Sequence, residues 1–419
     1  MALAHRFHTY ALTASVAALA LGGCAASSGA PVAKSSKTLV KAAPTAAASA
    51  ALPAVAGLRG SNDAPMAVTK DFANIAEAPT VLPAGVVTTA QSAAGGVLAG
   101  HAFNDLLRAG ASPLQRDFFS SNTHGPTKVA GPLFKRGRLD DRNTGFWLAT
   151  TYGNFDIDDD PDAFALQAES FGVAAGLEHR IRIGDYDKAA IGIGGGYTTT
   201  DIDPAFAGSG EVESWSVGLY AGGTSGPLRG DFAVSYTGAD VESVVTDGSL
   251  LNNSAGFDGD IVTGRVELAY NLAGDARRGF VAAPLLRATG TLADFDDVSF
   301  QTGESLVDGE LDQGILGAGF RVGYNAASIY RNDYRITLEA AYERVVGDES
   351  LDFLYGDTLA DPLVLSPVSQ VVVDQDRLHA GATASVELMN MVDLVLRYDG
   401  RIGDLVEDHR GSVRAVFRF

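Results

Sequence analysis

Few residues in this chain of 419 could do chemistry, and most of those miss the spacing that chemistry needs. Asp156, Asp158, Asp160 and Asp162 alternate as the oxygen ligands of a calcium loop do. The helix-flanked loop would then need Gly at 161 and Glu at 167, where this chain has Pro161 and Gln167, so a solvated acidic loop is the expectation. Gly192, Gly194, Gly195 and Gly196, like Gly314, Gly317 and Gly319, do not complete G-x-G-x-x-G ahead of a helix and read as small residues in strands. No G-x-S-x-G or H-E-x-x-H run occurs. His379, and His409 beside Asp408, could serve as bases, but no recognisable nucleophile accompanies them. No catalytic residue and no metal ligand is therefore assigned. Cys24 remains. It is the single cysteine, so it cannot form an internal disulfide, and it directly follows Leu21-Gly22-Gly23.

The stretch before that thiol explains it. Ala11 to Gly23 is a short apolar run behind Arg6, the pattern of a secretory signal peptide. Leu21-Gly22-Gly23-Cys24 resembles the lipobox of bacterial lipoproteins. The resemblance implies cleavage after residue 23 and a diacylglycerol on Cys24, and Ala25 in place of Asp is compatible with outer-membrane sorting. This covalent lipid is the one non-protein group expected, and no cofactor is. No run of about 18 apolar residues exists, which excludes a spanning helix.

The chain divides by charge. Up to Arg142 the balance is +6, and from Asn143 onward it is −26. Residues 24–85 are rich in Ala, Ser, Pro and Thr without apolar period and read as a flexible tether, since such a segment cannot offset the entropy of ordering it. Residues 86–143 read as a linker with one helix over 97–109, where Leu98, Ala102, Leu106 and Ala109 share a face. Small residues at Ala99, Gly100 and Ala102 suit passage through a narrow lumen, and a short periplasmic helix is the equal alternative. Lys135, Arg136 and Arg138 form a small basic cluster, by default a solvated face.

From Thr144 to Phe419 the pattern is alternating segments separated by Gly and Asp clusters. Strands are expected near 145–154, 164–180, 188–200, 211–223, 230–242, 260–272, 279–292, 311–325, 333–345, 374–388, 392–400 and 409–419. That is an all-β fold, a 12-stranded antiparallel transmembrane β-barrel, and an even count is what closure of a single bacterial chain requires. Arg265, Glu267, Arg321, Arg335, Glu339 and Arg397 stand opposite continuous apolar faces, so they are expected to line a wet lumen. Connections alternate between short and long. The six long ones, near 155–163, 201–213, 239–260, 294–312, 347–376 and 399–408, carry 32 acids and one base, Arg401, which puts an acidic mouth outside and both barrel ends in the periplasm. Tyr186, Tyr270, Phe280, Tyr324, Tyr330, Tyr334 and Tyr398 are expected to form an aromatic girdle near the short turns.

The last strand carries a further signal. Val413, Ala415, Phe417 and Phe419 share its apolar side, and this ending resembles the C-terminal signature of bacterial outer-membrane proteins, which implies recognition by the barrel-assembly machinery. F-G-V-A-A-G-L-E-H-R-I from Phe171, then I-G-I-G-G-G-Y-T-T-T and W-S-V-G-L-Y-A-G-G-T-S-G-P-L-R-G-D-F-A-V-S-Y, resemble the second to fifth strands of autotransporter translocator domains. The resemblance spans roughly Thr144 to Phe419 and implies type V secretion: a barrel in outer-membrane lipid, filled by a helix from the preceding segment, that helps carry an N-terminal passenger to the surface. Only about 120 residues of low complexity stand before the barrel, so that passenger is short or vestigial. The alternative readings are a passenger-less surface adhesion barrel and a small-solute pore. The acidic barrel disfavours nucleic acid as a partner.

Overall fold

The computed structural model describes residues 84–111, 144–158, 164–182, 188–204, 208–225, 227–245, 253–272, 279–300, 304–327, 333–357, 365–388 and 392–418. Cys24, residues 24–83, residues 112–143 and Phe419 lie outside the described residues.

One helix, α1 (Ala84–Ala111), precedes fifteen strands: β1 (Thr144–Ile157), β2 (Leu166–Arg182), β3 (Lys188–Pro204), β4 (Gly208–Ser225), β5 (Leu228–Val245), β6 (Asn253–Tyr270), β7 (Gly279–Phe295) and β8 (Val298–Ser299). There follow β9 (Glu304–Ala327), β10 (Asp333–Gly347), β11 (Ser350–Asp357), β12 (Leu365–Val371), β13 (Asp376–Leu388), β14 (Val392–Ile402) and β15 (Val406–Arg418). Twelve of them form a closed antiparallel ring in which β9 leads to β10, β10 to β13, and β15 back to β1. At that seam Gly145 faces Arg418 and Ile157 faces Val406, so closure uses the whole of both end strands. A closed ring leaves no unpaired edge for lipid to meet, which is why a sheet can cross a membrane in this form.

Alternation sets what faces lipid. Along β6, Val262, Val266, Leu268 and Tyr270 are exposed while Thr263, Arg265 and Glu267 are buried. Along β10, Tyr334, Ile336 and Leu338 point out while Arg335, Thr337 and Glu339 point in. Leaving such large apolar side chains in water would forfeit about 1.5–3 kcal/mol each, so the outer band belongs in hydrocarbon. Among the described residues no helix is long and apolar enough to cross a membrane.

Two expectations need correction. The segments 239–260, 294–312 and 347–376, read as long loops, are largely strand: β5 runs to Val245, β6 starts at Asn253, β9 starts at Glu304, and β11 and β12 form a hairpin. In the strands there the acids occupy outward positions and the inward ones stay apolar (Val241, Phe257, Leu306, Leu311), so the two-residue period continues past the lipid band, while Asp374, after β12, is buried and accepts from Leu405 N and Val406 N. Tyr398 lies well up β14, its hydroxyl 2.8 Å from His409 Nδ1, and not at the short-turn end.

β9 bends where Asp308 takes a φ of 57° and the β11 register shifts between Asp352 and Leu354. Its outer end thereby leaves the wall and carries the β11–β12 hairpin over the mouth. Gln370 Nε2 reaches the Phe164 carbonyl at 3.5 Å, and the base of the hairpin is closed by Val372 N donating to the Glu349 carbonyl at 3.0 Å.

Candidate functional site

The lumen is filled. α1 runs 84–111 rather than 97–109, and every described side chain from Gly85 to Gly100 is buried. Thr89 Oγ1 lies 2.8 Å from Ser243 Oγ and Gln91 Nε2 donates to the Ala165 carbonyl at 2.7 Å, both at the long-connection end. At the other end Leu107 sits over Gly194 and Gly218. The helix therefore traverses the barrel with its N-terminus at the mouth. A side chain buried on all sides has no solvent face to encode, which explains why a V-V-T-T-A-Q-S-A-A-G-G stretch showed no helical period.

The wall is cut to fit. A Cβ on Gly194 would come within 2.5 Å of Trp147, one on Gly196 within 2.8 Å of Phe103, and one on Gly218 would strike Leu107. The strand glycines are thus where the wall makes room for α1 and for Trp147.

Two zones line the interior. Around the first half of α1, Val86, Ala90, Ala94 and Val97 pack with Ile157, Ile202, Val212, Val241, Phe295 and, from the hairpin, Leu351, Phe353 and Val368. This is an apolar core of the kind found in water-soluble proteins, closing the mouth. Around and below the second half lies a dense ion-pair network.

The six residues expected to line a wet lumen do point inward, but they are between 2% and 9% exposed, so the wet bore is corrected to a packed one. Arg321 meets Glu267 at 2.6 Å and Glu339 at 2.6 Å. Arg287 reaches Glu339 at 2.7 Å and Glu343 at 3.1 Å, and Glu343 passes the chain to Arg377 at 2.9 Å. Arg397 grips Asp399 at 2.5 Å, Arg265 reaches back to α1, and Arg335 is buried on the same wall. Charges removed from water must pair, since an isolated buried ion costs several kcal/mol. With α1 in place too little space is left for bulk water, and pairing is the outcome.

Several members escaped the sequence reading. Asp105 bonds Arg265, Arg401 and Arg410 at 2.9, 2.7 and 3.4 Å. Its signal was available: it is the sole Asp, Glu, Lys or Arg between Ala84 and Leu107. Asn104 Nδ2 donates to Ser235 Oγ and the Thr263 carbonyl, each at 3.1 Å, and His101 Nε2 lies 2.9 Å from Thr291 Oγ1. Arg414, Glu178, Tyr220 and Trp147 form a second buried group near the short turns.

Glu339, His379 and Asp399 stand close enough to hold a metal ion. The donor set does not fit one: Arg287 and Arg321 hold Glu339, Arg397 holds Asp399, and the two His379 nitrogens face Arg287 and Asp399 at 2.9 Å each. His409 is outward and separate from His379. Asp156 and Asp158 are on the outside of the barrel, while Asp160 and Asp162 lie outside the described residues.

The outer face above the lipid band is acidic in register. Glu169 faces Asp201, Asp201 faces Glu211, and Glu211 faces Glu242 across four successive strands. A cleft of about 540 Å³ is lined by these carboxylates together with Asp203. Below them Tyr236 and Tyr342 donate their hydroxyls to Asp260 and Asp376, and Trp215 packs on Tyr236 with ring centroids 5.3 Å apart. Burial foremost, with Asp201, Glu213 and Glu242 nearby, pushes the Glu211 carboxyl above its ordinary value.

A lipid-facing twelve-strand cylinder closed by an internal helix defines the protein as a plugged outer-membrane translocator barrel. The family model for the autotransporter beta-domain matches residues 146–399, and the chain belongs to that family. The structure is similar to the beta domain of the Bordetella autotransporter Brka, at 15% identity over 66% of this chain and 100% of that one with a TM-score of 0.52. It is similar also to the translocator domain of NalP from Neisseria meningitidis, at 16% identity over 78% of this chain and 100% of that one, TM-score 0.50. The transport unit of AIDA-I from Escherichia coli matches at 12% identity over 74% of this chain and 98% of that one, TM-score 0.52. No curated protein sequence matches the chain.

Proposed function

We propose that this barrel delivers its own N-terminal segment, residues 25–83, to the outer face of the membrane and is then closed by α1. The observation that carries the reading is the direction of α1. Val86 lies in the apolar core at the mouth and Leu107 at the short-turn end, so the N-terminus of α1 faces the mouth and its C-terminal half the end at which β1 begins. Short turns belong to the periplasm and long connections to the exterior in such barrels, which makes the acidic mouth the outer one. Cys24 carries the lipid in this reading, and about 60 residues of tether reach on the order of 200 Å when extended, so the anchor does not constrain export. Val413, Ala415 and Phe417 point outward from β15, which supports their use, with Phe419, as the signal for the barrel-assembly machinery.

His379 is a structural member of the ion-pair network, both nitrogens engaged, and we read the protein as no enzyme. The filled lumen argues against a standing pore for small solutes. Adhesion to cationic surfaces or basic proteins is a second reading, favoured by the cleft of Glu169, Asp201, Glu211 and Glu242.

Protease added to intact cells tests export. Cleavage within residues 25–83 is expected, and complete protection until the outer membrane is opened would place this segment in the periplasm. Fatty-acid labelling lost in Cys24→Ala tests the anchor separately.

A further inference from the structure

We infer that Arg265, Arg401 and Arg410 form a receptor for one carboxylate, that of Asp105, and that this receptor sets the depth at which α1 comes to rest. Arg265 stands on β6, whereas Arg401 and Arg410 stand on β14 and β15, five and six places further round a ring of twelve. One carboxylate on α1 therefore bridges opposite walls. Arg401 and Arg410 also share Asp408, each at 2.8 Å, and Arg265 lies 3.8 Å from Glu267, so Asp105 is the carboxylate on which all three guanidiniums converge. The site is built from buried groups: the three arginine side chains are 6–8% exposed and that of Asp105 is 12%. Charge-assisted hydrogen bonds of this kind are short, directional and about twice as strong as neutral ones, so they reward one position of the helix.

The sequence makes that position unique. From Ala84 to Leu107 there is no other Asp, Glu, Lys or Arg. With α1 drawn three residues further toward the mouth, about 4.5 Å, the carboxylate would leave the three guanidiniums, and no other acid between Ala84 and Leu107 could take its place. Loss of this one carboxylate from three buried cations acts as a stop for movement of the helix along the barrel. The glycines of α1 agree with a single register: Gly100 takes Ile261 and Gly96 takes Phe295 at the separations of close packing, 3.1 and 3.4 Å from an added Cβ. The inference concerns the seated helix and holds whether or not the upstream segment is exported.

Thr89 and Ser243, whose hydroxyls are 2.8 Å apart at the far end of α1, supply the readout. In the full chain carrying Cys24→Ala, Thr89→Cys and Ser243→Cys, oxidation is expected to join the pair efficiently in the assembled outer-membrane protein. Adding Asp105→Asn is expected to lower that yield severalfold, and adding Glu343→Gln, which breaks a buried pair not touching α1, is expected to leave it unchanged. Should Asp105→Asn not assemble, Arg410→Gln carries the same test with two arginines remaining. An unchanged yield in whichever of the two assembles, or an equal fall in Glu343→Gln, overturns the stop and leaves Asp105 as ordinary internal pairing.

Discussion

The Arg414 guanidinium lies over the Trp147 ring, 4.5 Å from its centroid, and the two residues hold the seam where the last strand meets the first. Trp147 is fully buried, faces Val416 across that seam and tilts against Tyr220 at 6.4 Å. Trp147→Ala removes a large side chain the wall cannot collapse onto and strips a desolvated cation of its aromatic face. A loss of about 3–5 kcal/mol is expected from the cavity alone, with up to about 2 kcal/mol more from the cation–π contact. Trp147→Phe should recover most of it. The check is the temperature at which the folded barrel loses its compact migration on gels, lowest for Trp147→Ala.

The fit of α1 to the wall predicts a compensating pair. A methyl group at Gly218 would run into Leu107, so Gly218→Ala should destabilise by roughly 1–3 kcal/mol as overpacking does. Leu107→Ala alone should cost about 2–5 kcal/mol. Combined, the two changes should cost less than their sum, because Leu107→Ala vacates space that the methyl added at 218 partly fills. Strict additivity in the double-mutant cycle would mean that α1 and β4 do not touch.

Pairing inside the barrel and pairing outside it should differ sharply. Glu339 holds Arg287 and Arg321 in a dry interior, so Glu339→Ala takes one carboxylate from each of two buried cations, leaving them Glu343 and Glu267, and should cost about 3–5 kcal/mol. Arg344 and Asp376 pair at 3.9 Å with 57% and 46% of their side chains exposed, and Arg344→Ala should cost about 0–1 kcal/mol. Urea titration of the two variants in the same detergent measures the contrast. Equal losses would mean that the lumen is hydrated after all.

Much of this was legible from alternation alone. The twelve ring strands, the inward charges and the outward apolar band follow from a period of two that a one-residue slip would invert. What the residues could not announce is what fills the centre. The first half of α1 mixes Ala with Val, Thr, Ser and Gly, the last four weak helix formers, and has no polar side, because the barrel surrounds it. The ion pairs were hidden for a related reason: Arg265 and Arg401 lie 136 positions apart, and only closure of the ring and insertion of α1 bring both to Asp105. The acid clusters misled the reading of the mouth, where charge on one side of a strand resembles a loop while its other side builds a core.

The in-register carboxylates predict a mouth that tightens in mild acid. Like charges directly opposite on neighbouring strands destabilise a sheet, and Glu211 faces Asp201 on one side and Glu242 on the other. Burial first, and these neighbours next, raise its carboxyl above the ordinary value of 4.5. A group that binds its proton more readily folded than unfolded adds stability as pH falls: the contribution is complete below the unfolded value and is lost as pH rises through the raised folded one. Amide hydrogen exchange over residues 208–213 is therefore expected to slow on going from neutral to mildly acidic solution, beyond the intrinsic change. Glu211→Gln should show the slower exchange at neutral pH already and respond less to acid. Exchange that quickens in acid in the parent protein, or that responds equally in the variant, would show that the repulsion at the mouth is screened and that Glu211 plays no part in holding it.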